Sequence, residues 1–394
     1  MKKFGLLVII NMFVLCFGAK AQSKEIRVVT RILSSVDKKF APDKRTANFN
    51  VQSVENSGQL VLKGRTNLPE AKRMVIDSLS LQGVSYRDSI IVLPEASLGN
   101  KIWGLATISV ANMRTGPDHA TELASQILMG TPVKILAKVD GWLQVQTPDQ
   151  YIGWVDELGI SLKTEAEMSA WKQSKRIVFN EMTGFALSAP GKKASHVSDL
   201  VLDDLFELVS EVKGYFQVRF PDGRTAFVKM YDCISYHEWT SRPVDLQSIL
   251  SVAKQLLGVP YLWGGTSCKA VDCSGFTKTS YYSQGIILAR DASQQARYGE
   301  HPDFKDHKNL QSGDLLFFGR TAQRITHVGL YLDNEDYINA SGLVRVNSLN
   351  PNDSKFKHND PKSLVSVSRI LNSLNTDGII QVKNHLWYSI INQQ

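Results

Sequence analysis

A glycine-rich loop that leads into a cysteine most constrains how this chain folds. It runs from Tyr261 to Phe276 with the sequence Tyr-Leu-Trp-Gly-Gly-Thr-Ser-Cys-Lys-Ala-Val-Asp-Cys-Ser-Gly-Phe. Upstream, apolar residues at helical spacing predict a helix that ends at Gly258, and Phe276–Ser283 predict a second helix. Cys273 therefore lies at a predicted helix N-terminus, where the macrodipole favours the thiolate over the thiol. The alternative is a buried structural cysteine, since free cysteines are often core residues.

Two apolar segments downstream predict a strand pair that carries a histidine and an asparagine. Thr326–Leu332 alternates as a strand with His327 near its start, and Tyr337–Ala340 predicts the neighbouring strand. In such a hairpin Asn339 lies beside His327. Together with Cys273 these residues are the parts of an activated thiol nucleophile, in which the imidazole takes the thiol proton and the amide fixes the imidazole tautomer. A lone histidine is more often structural, but the cysteine and the amide favour the catalytic interpretation.

From residue 241 to residue 394 the chain resembles the NlpC-type cell-wall cysteine peptidases, which have a compact papain-like fold. Five blocks in the family order carry the resemblance: Tyr261–Gly265, Asp272–Phe276, Arg290–Gln295, Gly313–Phe318 and His327–Tyr331. The third catalytic position is often histidine in this family, whereas here it is Asn339. Papain-like enzymes use asparagine in that role, so we expect activity to survive.

The resemblance also implies roles for residues around the cysteine. The hydroxyl of Tyr261 is expected to support the oxyanion together with the Cys273 amide. Asp272 is expected to pair with a free α-amine of the substrate, to cap the catalytic helix, or to do both. Ser274 is expected to bond the substrate or to cap the helix. Trp263 is expected at the substrate site, with packing of the loop as the alternative.

The chain begins with features of an export signal. Lys2 and Lys3 precede an apolar segment, and Ala19-Lys20-Ala21 forms a small-x-small cleavage site, so residues 1–21 are predicted to be removed. The apolar segment is too short for a durable transmembrane helix. We therefore expect an exported protein of the periplasm, the cell envelope or the secreted fraction, without stable membrane insertion.

The region between the signal and the peptidase-like part divides into three predicted domains. Residues 22–98 predict a small α/β module, with a first strand at Ile26–Leu33. Residues 99–165 and 166–240 form an internal repeat of short strands with Gly-aromatic turns, which predicts two small barrels. Both copies resemble bacterial SH3-like domains. The fold class is therefore α+β and multidomain, with the papain-like domain at the C-terminus.

The first barrel is expected to close one side of the catalytic cleft, as it does in relatives with this domain order. The resemblance assigns Tyr151, which precedes the Gly-Trp motif, to the substrate pocket. It also implies a glutamate before the central strands, and Glu122 is the nearest candidate. A cleft closed at one end accepts a short chain end rather than the middle of a polymer. The alternative is that the barrels only bind wall polymer.

Composition excludes several other function classes. The formal net charge of +7 comes from scattered lysines and arginines, without the basic stripe of a nucleic-acid groove. No Cys-x-x-Cys pair or histidine cluster predicts a metal site, and no cofactor is expected. Cys233, Cys268 and Cys273 remain after signal cleavage, and this odd number argues against a disulfide framework. The sequence leaves the oligomeric state open.

The resemblance implies a cysteine peptidase that cuts the γ-D-glutamyl–diamino acid bond of peptidoglycan-derived peptides (L-Ala-γ-D-Glu-diamino acid), like enzymes of the dipeptidyl-peptidase VI type. The substrate is expected to carry a free N-terminal L-Ala, and the preferred diamino acid stays open. Spacing alone supports only thiol acyl transfer. Two alternatives remain: an inactive or weakly active wall-binding protein, and a thiol acyltransferase or amidase on another substrate.

Overall fold

The computed structural model describes residues 25–57, 59–356 and 363–389. The chain divides into two compact units, Met1–Gly99 and Asn100–Gln394. The predicted export signal lies outside the described residues. Within the described ranges, no helix is both long enough and apolar enough to cross a membrane.

The N-terminal unit contains a three-stranded sheet and two helices. Its elements are α1 (25–40), β1 (Phe49–Asn56), β2 (Gln59–Thr66), α2 (Pro69–Leu81) and β3 (Arg87–Val92). The prediction of a strand at Ile26–Leu33 is wrong, because this segment belongs to α1. Its branched residues favour a strand locally, but Val29, Leu33 and Val36 are buried at helical spacing, so tertiary burial overrides the local preference.

The second unit begins with a seven-stranded sheet followed by a short helix. Its elements are β4 (Trp103–Ala106), β5 (Val110–Arg114), β6 (Leu123–Leu128), β7 (Pro132–Val139), β8 (Trp142–Gln146), β9 (Ile152–Asp156), β10 (Ile160–Lys163) and α3 (Glu165–Gln173). Asp140 and Gly141, between β7 and β8, have φ values of 46° and 81°. Positive φ at both central residues is the geometry of a type I′ turn, which suits the twist of a tight hairpin.

A second seven-stranded sheet has the same strand order as the first. Its elements are β11 (Arg176–Phe179), β12 (Thr183–Leu187), β13 (His196–Val201), β14 (Leu205–Val212), β15 (Tyr215–Arg219), β16 (Thr225–Lys229) and β17 (Cys233–Ser235). Counted from the first strand of each sheet, both sheets have the order 7-1-4-5-6-2-3. Lys213 and Gly214 repeat the turn of the first sheet, with φ values of 50° and 80°.

The remaining residues form the unit that carries the cysteine. Its elements are α4 (Tyr236–Ser241), α5 (Leu246–Gln255), β18 (Thr266–Ser267), β19 (Ala270–Val271), α6 (Cys273–Tyr282), β20 (Ile286–Leu288), α7 (Ala292–Gln295), β21 (Leu315–Gly319), β22 (Ile325–Tyr331), β23 (Asp336–Ser341), β24 (Leu343–Ser348), β25 (Ser363–Ser368) and β26 (Ile379–Gln381). Strands β21 to β25 form a five-stranded sheet in the order β24-β23-β22-β21-β25.

Helix α6 packs against the central strands of this sheet. Phe276 and Tyr281 of α6 are completely buried, in one apolar cluster with Val328, Leu330 and Ile338. Because apolar burial is the main favourable term in folding, this cluster holds the helix against β22. The packing places the start of α6 beside the strand that carries His327.

Candidate active site

Cys273 is the first residue of α6, and the loop before it lies directly on the first helical turn. The side chain of Asp272 caps the helix by accepting a hydrogen bond from the Gly275 backbone N–H at 2.7 Å. A methyl group on Gly275 would overlap the carbonyl oxygen of Gly265. Glycine at this position therefore lets the Tyr261–Gly265 loop approach the cysteine closely.

His327 and Asn339 lie on neighbouring antiparallel strands and contact each other. His327 Nε2 is 3.0 Å from Asn339 Oδ1, and Asn339 is almost completely buried. The backbone N–H of Val328, the residue after His327, donates a hydrogen bond to the Cys273 thiol and so lowers its pKa. The thiol is thus held against the strand that carries the histidine. The structure thus places Cys273 against the residue that follows His327, and His327 against Asn339.

The surroundings of the Cys273 thiol act against the thiolate expected from the sequence. Burial raises the pKa of Cys273 to about 11, and the charge of Asp272 acts in the same direction. The Val328 amide, Arg290 and the Ser274 amide oppose this rise but do not overcome it. Burial therefore opposes the effect expected from the helix macrodipole. The raised pKa favours the protonated thiol, whose proton leaves during the attack.

We expect the alkylation of Cys273 by iodoacetamide to show this protonation state. Below the thiol pKa the thiolate fraction rises tenfold per pH unit, so the alkylation rate should rise by about tenfold per unit from pH 6 to pH 9. The rate is measured by mass spectrometry of the peptide that contains Cys273. The Cys273→Ala variant reports any labelling of Cys233 and Cys268, which are also buried and reduced. A rate that levels off near pH 7 would show a preformed thiolate instead.

Asp272 and Ser274 belong to a buried polar network. Arg290 donates to both carboxylate oxygens of Asp272, at 2.6 and 3.2 Å, and the Gly264 backbone N–H donates to Asp272 Oδ2 at 2.9 Å. The Ser274 hydroxyl donates to Asp272 at 3.2 Å and accepts from Arg290 at 3.0 Å. Asp272 caps the helix, as expected, but its carboxylate is already paired inside the protein. This geometry does not favour Asp272 as the group that binds a substrate amine.

Arg290 is a residue whose role sequence reasoning missed. Its side chain is 1% exposed, and it also donates from Nε to the Ser125 hydroxyl of β6 at 3.0 Å. Burial disfavours its charge, but the neighbouring Asp272 outweighs burial, and the pKa of Arg290 is raised. The one signal in the sequence was its place in the block Arg290–Gln295. This block marks Arg290 as part of the family pattern but does not show which residue it pairs with.

The first seven-stranded sheet contacts the loop before the cysteine. Trp263 Nε1 donates to Glu122 Oε1 at 2.6 Å, and the backbone N–H of Thr266 donates to Gln126 Oε1 at 2.9 Å. Gly264 has a φ of 83°, and a methyl group there would overlap the Leu123 carbonyl. The structure therefore brings Glu122 and Trp263 together at the exposed rim of the site, where Trp263 is 61% exposed.

Both predicted tyrosines lie near the cysteine or its network. Burial, followed by the charges of Cys273 and Asp272, raises the pKa of Tyr261, so its hydroxyl stays a neutral donor close to the thiol. Tyr151, at the start of the β9 hairpin, is buried and lies close enough to Arg290 to raise the pKa of that guanidinium. Across the described ranges, no group of three or more His, Cys, Asp or Glu side chains is arranged to hold a metal ion.

Comparison with known proteins agrees with this site. The sequence profile of the NlpC/P60 family matches residues 258–362, and that of the bacterial dipeptidyl-peptidase Sh3 domain matches residues 113–160. The gamma-D-glutamyl-L-lysine dipeptidyl-peptidase of Bacillus subtilis (strain 168) is 30% identical over 220 residues, which cover 53% of this chain and 69% of the relative. The enzyme of the same name from Bacillus cereus (strain ATCC 10987 / NRS 248) is 28% identical over 266 residues, covering 65% of this chain and 78% of the relative.

The crystal structure of an NlpC/P60 family protein from Bacillus cereus ATCC 10987 shows the same fold. It aligns with a TM-score of 0.58 at 24% identity and covers 68% of this chain and 99% of that one. The chain is therefore a cysteine peptidase with a papain-like catalytic domain and a bacterial SH3 domain. It belongs to the NlpC/P60 family.

Proposed function

We propose that this protein hydrolyses the γ-D-glutamyl–diamino acid bond of murein peptides and releases L-Ala-γ-D-Glu from a free N-terminus. One observation carries the proposal: a cysteine thiol at a helix N-terminus lies against the strand of a histidine that is bonded to a buried asparagine. The bond specificity is supported by two relatives named gamma-D-glutamyl-L-lysine dipeptidyl-peptidase, whose matches cover 65% and 53% of this chain.

The mechanism follows from the groups around the thiol. His327 accepts the thiol proton as Cys273 Sγ attacks the carbonyl carbon of the γ-glutamyl bond. The oxyanion that forms accepts hydrogen bonds from the Cys273 backbone N–H, one of the N–H groups that a helix N-terminus leaves unbonded, and from the Tyr261 hydroxyl. His327 then gives its proton to the leaving amine. Water hydrolyses the remaining thioester with His327 as the base, which restores the thiol.

Glu122 is the acidic group that we propose for the substrate amine. Asp272 is paired with Arg290, whereas Glu122 is exposed directly before β6, beside the loop that leads to Cys273. A carboxylate paired with an ammonium group forms a charge-assisted hydrogen bond, which at an exposed rim is worth up to about 1 kcal/mol. Tyr151 completes this side of the pocket. A peptide with a free α-amine is therefore bound better than a capped one.

The deciding experiment compares L-Ala-γ-D-Glu-L-Lys with its N-acetylated form. We expect kcat/KM for the free peptide to be up to about fivefold higher, since each 1.4 kcal/mol is a factor of ten. The Glu122→Gln variant should lose most of this preference through a higher KM for the free peptide, while turnover of the capped peptide stays the same. Product release is measured by chromatography.

The chain offers a matched control for this prediction. Glu165 is also an exposed glutamate that accepts a hydrogen bond from a tryptophan indole, that of Trp103. Glu165→Gln should leave the preference unchanged. Equal hydrolysis of capped and free peptides by the wild type would refute the amine pocket. No hydrolysis of either would favour a wall-binding protein without activity.

We also propose an envelope location and an SH3-like second sheet. Murein peptides lie outside the cytoplasmic membrane, and the segment 1–21 has the pattern of an export signal. The second sheet repeats the strand order of the first, which supports a second SH3-like domain. Fractionation of cells that produce the full chain tests the location: the processed protein should be found in the envelope fraction.

A further inference from the structure

A chain of buried amides continues from the histidine beyond Asn339. Asn339 Nδ2 donates to Asn347 Oδ1 at 2.8 Å, and Asn347 Nδ2 donates to the backbone carbonyl of Lys355 at 3.0 Å. Asn339 is 2% exposed and Asn347 is 8% exposed. The two asparagines lie on the paired strands β23 and β24, where Asn347 is opposite Tyr337. Their side chains are diagonal neighbours on one face of the sheet.

The last acceptor in this series of amides determines the direction of every hydrogen bond in the series. A backbone carbonyl only accepts hydrogen bonds, so the amide nitrogen of Asn347 must face Lys355 and its oxygen must face Asn339. The nitrogen of Asn339 then faces Asn347, and its oxygen faces His327. Because that oxygen also only accepts, His327 Nε2 carries the proton. The other ring nitrogen, Nδ1, is left with the lone pair that a general base needs.

The Lys355 carbonyl is held in place by its own surroundings. The Lys355 backbone N–H donates to Asp353 Oδ1 at 2.8 Å, and its side chain forms ion pairs with Asp336 and Asp353. The Ser348 backbone N–H donates to the same carbonyl at 3.4 Å. The chain of amides therefore ends on an acceptor that is held by the backbone of β24 and by the turn after it.

We propose that Asn347 is a positioning residue that selects the imidazole tautomer of His327. It contacts neither the thiol nor the substrate, and it acts by preventing the Asn339 amide from turning over. If that amide turned, its nitrogen would face Nε2 and would favour the tautomer protonated on Nδ1. That tautomer cannot accept the thiol proton. This inference rests on the proposed function of His327 as the general base.

The Asn347→Leu variant tests the proposal, because leucine has a similar size but cannot accept a hydrogen bond from Asn339. We expect kcat for L-Ala-γ-D-Glu-L-Lys to fall by about 10- to 100-fold, with KM unchanged, as for other residues that orient a catalytic or ligating side chain. Asn347→Asp is the matched control, because its carboxyl group still accepts from Asn339 and, in the protonated form, donates to the Lys355 carbonyl. It should retain activity within about fivefold of the wild type.

A spectroscopic measurement separates this role from a structural one. The ¹⁵N shifts of the His327 ring, measured with labelled histidine in a Cys273→Ala background, report which nitrogen carries the proton. The ring shifts of the protein with Asn347 in place and of Asn347→Asp should show the proton on Nε2. Those of Asn347→Leu should show a substantial share of molecules with the proton on Nδ1. Nδ1–H with Asn347 in place, or unchanged shifts and kcat in Asn347→Leu, would overturn the proposal.

The two proposals fail in different ways. If the protein does not hydrolyse the peptide, the proposed function is lost, but the ring shifts still show whether Asn347 selects the tautomer. If Asn347→Leu does not fold, the ring shifts of the protein with Asn347 in place and of Asn347→Asp test the inference. A proton on Nδ1 in either one overturns it. Hydrolysis with an unchanged tautomer leaves the function intact and removes only the role of Asn347.

Discussion

Hydrolysis of L-Ala-γ-D-Glu-L-Lys by the Cys273→Ser variant should fall by at least about 10³-fold in kcat, because loss of a nucleophile removes the covalent pathway itself. A serine hydroxyl at this position has a far higher pKa than the thiol, so it is a much weaker nucleophile at neutral pH. The buried surroundings of Cys273 keep the protein folded, since the two side chains differ by one atom. Release of L-Ala-γ-D-Glu is followed by chromatography over hours.

Cys268 is the matched control for this substitution. It is a second buried cysteine on the same loop, and its thiol donates to the Met182 carbonyl at 2.6 Å. Cys268→Ser keeps a donor for that carbonyl and should retain activity within about threefold, because the thiol takes no part in acyl transfer. Residual turnover above 1% in Cys273→Ser, with normal folding, would contradict Cys273 as the nucleophile.

The Arg290→Met variant should lose about 3–5 kcal/mol of unfolding free energy, because it leaves the buried Asp272 carboxylate without its cation. The Arg290 side chain is 1% exposed and that of Asp272 is 9% exposed, so solvent does not replace the lost partner. Methionine fills most of the volume of the arginine stem, so the effect reports the charge rather than a cavity. Urea unfolding, followed by tryptophan fluorescence, measures the difference between the variant and the wild type.

Two further variants check the cause of this loss. Arg219→Met removes an arginine whose side chain is 51% exposed and 3.8 Å from Glu207, and it should cost less than about 1 kcal/mol. Adding Asp272→Asn to Arg290→Met should recover part of the stability, since an amide leaves no unpaired charge. Equal losses for Arg290→Met and Arg219→Met would show that the Asp272 pair contributes little to stability.

Local patterns predicted the elements that carry the chemistry. The helix before the loop, the strand that carries His327 and the following strand with Asn339 were each predicted within a few residues of the observed bounds. These predictions succeeded because periodicity, glycine positions and turn residues act over short distances along the chain. The same kind of evidence failed at Ile26–Leu33, where branched residues predict a strand but lie on the buried face of a helix.

Contacts between residues far apart in the sequence could not be predicted from local patterns. The Glu122–Trp263 contact joins residues 141 positions apart, and the Arg290–Ser125 contact spans 165 positions. Neither follows from the local pattern of either partner. Asp272 shows the difference between a local role and a distant partner. Its position before Cys273 correctly predicted the helix cap, but it did not indicate that Arg290 pairs with the carboxylate.

The sequence by itself determined the order of the elements around the site. It also predicted the nucleophile and the histidine and asparagine expected to serve it, because motifs and short-range periodicity carry this information. Only the tertiary structure decided the burial that raises the thiol pKa, the pairing of Asp272 and the direction of the amide chain behind His327. Each of these depends on burial and on hydrogen-bond partners that folding brings from distant parts of the chain.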